Sequence, residues 1–324
     1  MKVLFIGGTG VISSACSQRA VAKGMDLYHL NRGITSLRKI AGVKTIQADI
    51  RDLATTRQAL KGHEFDVVVD WIAFEPQHIH HDIELFAGIT KQFVFISSAS
   101  AYQTPPEQLP ITEDTPLHNP FWEYSRLKMA CEEVLQDAYR NNGFPYTIVR
   151  PSHTYDQTMI PLLGKYTTLQ RMKEGQPVVV IGDGTSIWTL THHQDFAVGF
   201  VGLLGRKEAI GEAYQITSDE WLSWNNIYHL FARELGVEPK LVHVPSKVVA
   251  RYAPVYGDGL LGDKSHSMIF DNSKIKSLVP EYEAKIPFRQ GVKEIVDWFE
   301  KHPGGIDASV NEFMDRLVSD FDWG

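Results

Sequence analysis

A chain of 324 residues with a net charge of −7 and no basic block offers neither a surface for a phosphate backbone nor a polybasic membrane patch. Its length suits one large or two ordinary domains around a sizeable core. Cys16 and Cys131 are its two cysteines; they lack metal-ligand spacing, which argues against a disulfide framework and for a reducing compartment.

The chain opens with a predicted strand, Lys2 to Ile6, followed by Gly7-Gly-Thr-Gly10-Val-Ile-Ser13 and a helical pattern over 14–23. The apolar start is too short for a signal core or a membrane span, so a cytoplasmic protein is expected. Strand, glycine turn and helix bring backbone N–H groups and a helix N-terminus to a pyrophosphate. Gly7, Thr9, Gly10, Val11 and Ile12 are therefore candidate cofactor contacts, with Ser13 in the third small position. A second strand, Asp26 to Leu30, ends at Asn31-Arg32-Gly33. A carboxylate there would hold a ribose 2′-hydroxyl; Asn31 and Arg32 instead remove a repulsion and supply a guanidinium for a 2′-phosphate. That favours NADP over NAD, the alternative being an arginine stacked on adenine or facing water. A third strand over 45–50 carries Asp49 and Ile50. Asp49 either meets an adenine amino group or caps the helix of 53–61.

Apolar runs over 65–73, ending at Ala73, and 91–96, ending at Ser97 and Ser98, read as buried parallel strands, with a sixth over 145–151. Strands alternating with helices predict an α/β fold, a doubly wound parallel Rossmann sheet with ligands at the strand C-terminal ends. Residues 1–155 are the expected dinucleotide-binding domain, with later returns near 187–217 that include a seventh strand over 212–216. Residues 156–324 are expected to form mainly a smaller mixed α/β substrate domain and C-terminal helices. Within it the pattern predicts helices over 159–174 and 194–204, with a strand over 178–181 before the turn Gly182-Asp-Gly184. A helix over 223–235 capped by Ser223, a strand over 240–244, and a helix over 288–301 with Val292, Ile295 and Trp298 on one stripe come next. Val310, Phe313, Met314, Leu317, Val318 and Phe321 form a last apolar face. It is expected to pack within the chain, the alternative being a contact in a homodimer.

The chemistry-bearing pair is Tyr124 and Lys128, one turn apart on one helix face, with Ser98 on the preceding strand end. An ammonium beside a phenol favours the phenolate. Lowering the ordinary tyrosine pKa of about 10 by roughly 3 units takes roughly 4 kcal/mol, within reach of a charge in a poorly solvated cleft. Ser98 then holds a substrate oxygen while Tyr124 moves the proton. Such a pair taken alone is commonly helix surface; the glycine turn at residue 7 gives it weight. His78, His80 and His81 sit in a polar helix start and read as solvated side chains, so no metal is expected. His192 and His193 either line the cleft or cap a helix.

Taken in order, Gly7-Gly-Thr-Gly10, Asp49-Ile50, the Phe-Ile-Ser-Ser strand end, Tyr124 to Lys128, Arg150-Pro151, Gly182-Asp-Gly184 and Asp195 resemble the extended short-chain dehydrogenase/reductase family. That family includes the NAD(P)-dependent sugar epimerases and dehydratases, and the resemblance covers roughly residues 1 to 300. It implies hydride transfer at a carbohydrate hydroxyl or keto group. It also implies Tyr124 as the catalytic acid/base, Lys128 as the group that binds the nicotinamide ribose and depresses the tyrosine pKa, and Ser98 as their hydroxyl partner. Departures narrow the substrate. Ala99-Ser100 stand where family dehydratases carry Asp-Glu, so elimination by that route is not expected. His153 replaces an asparagine, and Trp188 replaces an arginine that holds a diphosphate. The run from Gly257 to Lys264 contains no second phosphate-binding arginine, only Lys264. A small carbohydrate such as a free sugar, glycoside or sugar acid is therefore expected rather than a nucleotide diphosphate sugar. Ser100, His153 and Trp188 are its candidate contacts, Trp188 as a stacking wall. The Leu30-Asn-Arg-Gly33 turn and the Asp66 to Asp70 strand also resemble atypical members, including chloroplast stem-loop RNA-binding proteins. RNA binding, or cofactor sensing without turnover, is thus the alternative, and the charge of −7 opposes the former.

Overall fold

The alternating apolar and helical segments assemble into a seven-stranded sheet in which every neighbouring pair runs parallel. This computed structural model describes residues 1–34 and 38–321. Its strands are β1 (Lys2–Ile6), β2 (Asp26–Asn31), β3 (Lys44–Gln47), β4 (Phe65–Asp70), β5 (Thr90–Ile96), β6 (Tyr146–Pro151), β7 (His153–Tyr155), β8 (Val178–Ile181), β9 (Ile187–His192), β10 (Glu212–Ile216), β11 (Trp221–Ser223) and β12 (Leu241–Val244). The main sheet has the order β10-β6-β5-β4-β1-β2-β3. The winding reverses between β1 and β4, and a crevice opens there at the strand C-terminal ends.

The helices are α1 (Val11–Ala22), α2 (Leu53–Ala59), α3 (Pro76–Phe86), α4 (Glu123–Asn142), α5 (Tyr166–Lys173), α6 (His193–Leu203), α7 (Trp224–Leu235), α8 (Ser246–Tyr252), α9 (Pro254–Gly259), α10 (Ser273–Leu278), α11 (Phe288–Lys301) and α12 (Ala308–Phe321). Ala15 and Cys16 of α1 and Phe196 and Phe200 of α6 cover one sheet face against Val3, Phe5 and Val67. Ile79 of α3 and Cys131 and Leu135 of α4 cover the other against Leu4, Val68 and Phe93. Burial on both faces explains why these strands are apolar throughout rather than alternating.

Beyond β6 the chain builds a three-stranded sheet, β11-β9-β7, and a parallel pair, β12-β8. Of the predicted returns, β10 joins the main sheet, while β9 pairs with β7 and β11. The terminal stripe does pack within the chain: Val310, Phe313, Met314 and Leu317 of α12 enter the apolar cluster of β8 and β12. One helix start and one buried stripe differ from expectation. The helix predicted from residue 159 starts only at Tyr166, because Gly164 and Lys165 adopt φ of +77° and +51°. A Cβ on Gly164 would lie 2.6 Å from Val310, so this break is a close approach of α12. In α11 the buried stripe is completed by Phe299, while Trp298 stacks on His302 with ring centroids 3.7 Å apart.

Candidate active site

The glycine turn after β1 holds Gly7 and Gly8 at φ of +95° and +106°, where a side chain is strained. A Cβ on Gly8 would also lie 2.5 Å from His29 Nε2. His29 is fixed beneath the turn by Ser17 Oγ at 2.8 Å, and burial lowers its pKa to about 4, so the ring is neutral. Ser13, in the third small position, accepts the Gly10 N–H at 2.8 Å. Arg38 crosses the start of α1, donating to Gly10 O at 2.9 Å, Asp156 Oδ2 at 2.7 Å and Thr158 Oγ1 at 2.9 Å. Nothing local in the sequence signals that clasp, since Asp156 lies 118 positions away.

Two cavities meet over Gly7, Thr9, Ile72 and Phe74. One, of about 460 Å³, is lined by Asn31, Arg32, Asp49, Ile50 and Arg51. Asp49 does not cap α2: its Oδ1 accepts the Arg51 N–H, and Asp52 takes the N–H groups of Ala54 and Thr55. The other cavity, of about 570 Å³, is lined by Gly10, Val11, Ile12, Ser98, Ser100, Tyr124, Lys128, His153 and Trp188. The catalytic, cofactor and substrate residues expected from sequence all border one of these two cavities except Ala73, while His192 and His193, the other candidates for the cleft, border neither. Asp70 Oδ1 accepts the N–H groups of Ile72 and Ala73, which turns Ala73 into the core. Its neighbours Ile72 and Phe74 line the groove instead, and its carbonyl accepts from Lys128. A left-handed glycine turn, an open helix start and a groove running along the sheet edge fit a dinucleotide.

Lys128 is buried, and its Nζ donates to Ala73 O at 2.6 Å and Ile96 O at 2.8 Å. It lies 5.7 Å from the Tyr124 ring centroid. Burial lowers its pKa to about 8. The expected depression of the Tyr124 pKa does not occur. Burial pushes that hydroxyl up, the Asp263 carboxylate adds to the rise, and the facing Ser98 hydroxyl opposes it. The ammonium is oriented by two carbonyls, and a phenolate in this crevice would lose its solvation. Tyr124 is therefore protonated at neutral pH and stands as a proton donor. Ser98 Oγ lies 2.9 Å from Ser100 Oγ, which accepts from Ser125 Oγ at 2.8 Å.

Behind this face a buried ion pair anchors α4. Arg150 donates through Nε and Nη2 to the Glu132 carboxylate at 3.0 and 2.6 Å, and Ser97 Oγ donates to the same group. The pair joins β6 to the helix that carries Tyr124 and Lys128. Asp82 of α3 is also fully buried, and neither of its oxygens has a donor among the described residues. Burial, and then the neighbouring Asp70 carboxylate, raise the Asp82 pKa well above the usual carboxylate range.

The substrate side rests on a π-helical turn, Leu260–Lys264, closed by the Ser265 N–H on Leu260 O. A Cβ on Gly262 would lie 2.8 Å from the Trp122 Cβ, and Asn119 Nδ2 bridges Ser100 O at 2.8 Å and Gly262 O at 2.7 Å. The turn thereby brings Asp263 and Lys264 into the crevice with Tyr124. Burial raises the Asp263 carboxyl to about 6, against the opposing charge of Lys264. The run from Gly257 to Lys264 has no arginine but two carboxylates, Asp258 and Asp263, and it is Asp263 that borders the crevice beside Tyr124. Trp188 stands between the His153 ring at 5.6 Å and the Trp224 ring at 5.4 Å. His153 Nε2 has no partner among the described residues, and burial, with Lys264 and Lys165 nearby, drops its pKa to about 3. His192 takes the capping role, its Nδ1 accepting the Gln194 N–H at the start of α6 and its Nε2 lying 3.0 Å from Glu294. No helix among the described residues is long and apolar enough to cross a membrane.

Residues 3–217 match the model of the NAD dependent epimerase/dehydratase family. A UDP-glucose 4-epimerase from Lactobacillus helveticus is 33% identical over 169 residues, which is 46% of this chain and about half, 51%, of the epimerase. The chloroplast stem-loop binding protein of 41 kDa b from Arabidopsis thaliana is 25% identical over 76% of this chain and 66% of its own length. A 2'-dehydrokanamycin reductase from Streptomyces kanamyceticus is 23% identical over 98% of this chain and 91% of its own. Among solved structures, a UDP-glucuronic acid 4-epimerase from Bacillus cereus, in complex with UDP-glucuronic acid and NAD, superposes with a TM-score of 0.74 at 20% identity. That superposition covers 93% of this chain and 99% of the epimerase.

Proposed function

The chain belongs to the NAD dependent epimerase/dehydratase family, enzymes of the extended short-chain dehydrogenase/reductase type, and from that premise we propose an NAD(P)-dependent oxidoreductase or epimerase acting on a carbohydrate. The observation that carries this reading is that Tyr124, Ser98 and Lys128 line one cavity together with the glycine turn. The N–H groups at the start of α1 would hold the pyrophosphate, Asp49 the adenine, and Arg32 a 2′-phosphate, which makes NADP the favoured cofactor. A bound nicotinamide supplies or accepts the hydride. Lys128 has three donors and has committed two, leaving one for the ribose. Tyr124 donates its proton to the oxygen of a keto substrate while Ser98 holds that oxygen. In the reverse direction Tyr124 must ionise before it takes the proton of an alcohol; burial opposes that phenolate, which proton donation to a ketone also leaves behind, so the tyrosine by itself favours neither direction. The charged groups lining the crevice and the space behind it are Lys128, Lys165, Lys264, Asp258 and Asp263, with no arginine among the described lining residues. With Lys128 held by two carbonyls, the remaining charges cancel and no guanidinium is present, which suits a small carbohydrate better than a diphosphate. The near full-length match to a protein named a 2'-dehydrokanamycin reductase supports reduction of a ketone.

The test is Tyr124→Phe, with turnover followed by nicotinamide absorbance on a panel of keto sugars and glycosides. Dinucleotide affinity should stay within about twofold and turnover fall by at least a hundredfold; unchanged turnover would remove the tyrosine from the mechanism. RNA binding stands as a second reading on one observation, the match to the stem-loop binding protein. A salt-dependent gel shift with structured RNA would establish it, and no shift at low salt would exclude it.

A further inference from the structure

A third chamber, of about 500 Å³, opens off the crevice and shares Trp122, His153, Met159 and Lys264 with it. Its lining includes Trp224 and Tyr228, both fully buried. The polar atoms of these two rings are committed elsewhere: Trp224 Nε1 donates to Lys264 O at 3.0 Å and Tyr228 OH donates to Val179 O at 2.8 Å. They present ring carbon to the chamber and nothing that can hydrogen-bond an occupant. Leu163, Leu260 and Ile181 extend this apolar lining, which also includes Tyr256. At the mouth Val255 is 87% exposed, an apolar lip on a polar surface.

The neck is unsuited to an anion. His153 is a neutral ring there. Lys264 lies 3.9 Å from Asp263, and the chamber lining holds one further charge of each sign, Lys165 and Asp258. A nucleobase would leave its in-plane donors and acceptors unmatched against Trp224 and Tyr228, and burying an unmatched polar group is unfavourable.

We propose that this chamber binds the uncharged, apolar aglycone of a glycoside whose sugar occupies the crevice beside Tyr124. The sugar half of the statement rests on the carbohydrate reading above; the chamber's preference for an apolar group does not. The test uses the full chain saturated with NADP and the neutral fluorophore N-phenyl-1-naphthylamine, with UDP as competitor. Saturable binding at one site is expected, with no displacement by UDP. Val255→Asp puts a charge on the exposed lip without touching the core and should weaken the probe at least fivefold. Binding that is absent, insensitive to Val255→Asp, or displaced by UDP would overturn the proposal. Tyr124→Phe should leave probe binding unchanged. Failure of the redox reading would therefore show in turnover with the probe still bound, and failure of the chamber would show in the probe with turnover intact.

Discussion

The cofactor groove and the substrate side are built from different kinds of constraint. In the groove, the backbone of one short segment does nearly everything: two left-handed glycines, a helix start and the end of β1 lie within residues 2–13. On the substrate side no single segment suffices. Asn119 reaches 143 positions to Gly262, and Trp188 takes its place from β7, β9 and α7 together. A cofactor shared by a whole family can be held by local backbone geometry, whereas a substrate is selected by side chains gathered from afar.

The sharpest way to break this contrast is Gly8→Val. It adds about 1–3 kcal/mol of backbone strain to a direct collision with His29, and dinucleotide binding should disappear in a fluorescence titration. A Gly8→Val protein that still binds would show that the turn is not the cradle. Next in size is Arg32→Ala, which should weaken NADP roughly tenfold to a hundredfold, as expected for losing a guanidinium–phosphate pair, and leave NAD within about twofold. Equal losses for both cofactors would refute a 2′-phosphate contact.

The pH profile separates the two halves more finely. Lys128 loses its proton as pH rises through about 8, so kcat/KM for ketone reduction should fall on the alkaline side. Asp263 gains one as pH falls through about 6, giving an acid limb that Asp263→Asn abolishes while the alkaline limb remains. An acid limb surviving in that variant would exclude Asp263 from the crevice chemistry.

The smallest expected effect concerns the scaffold beneath both halves. Asp82 has a folded pKa raised above its unfolded value of about 3.8. Between those values the folded state holds a proton that the unfolded state has released, so stability drains as pH rises through that window. Asp82→Asn removes the drain and gives Asp70 a donor. Its Tm should exceed that of the parent protein by on the order of 2 °C at pH 8, and by less at pH 5. A gain that did not grow with pH would mean that the folded state does not raise the Asp82 pKa.

By itself the sequence determined the parallel sheet, the glycine turn, the Tyr124–Lys128 face and the inward packing of α12, because each is written in spacing over a few residues. It also pointed to Asp49, Ser98, His153 and Trp188, all of which border the groove or crevice. Only the tertiary structure decided that Tyr124 keeps its proton, that Ala73 turns away from the groove and that Asp263 enters the crevice. Those outcomes depend on desolvation and on hydrogen bonds between positions scores of residues apart, such as Lys128 with Ala73 and Asn119 with Gly262. Local pattern cannot encode which carbonyl will meet an ammonium, or how little water will remain beside a phenol.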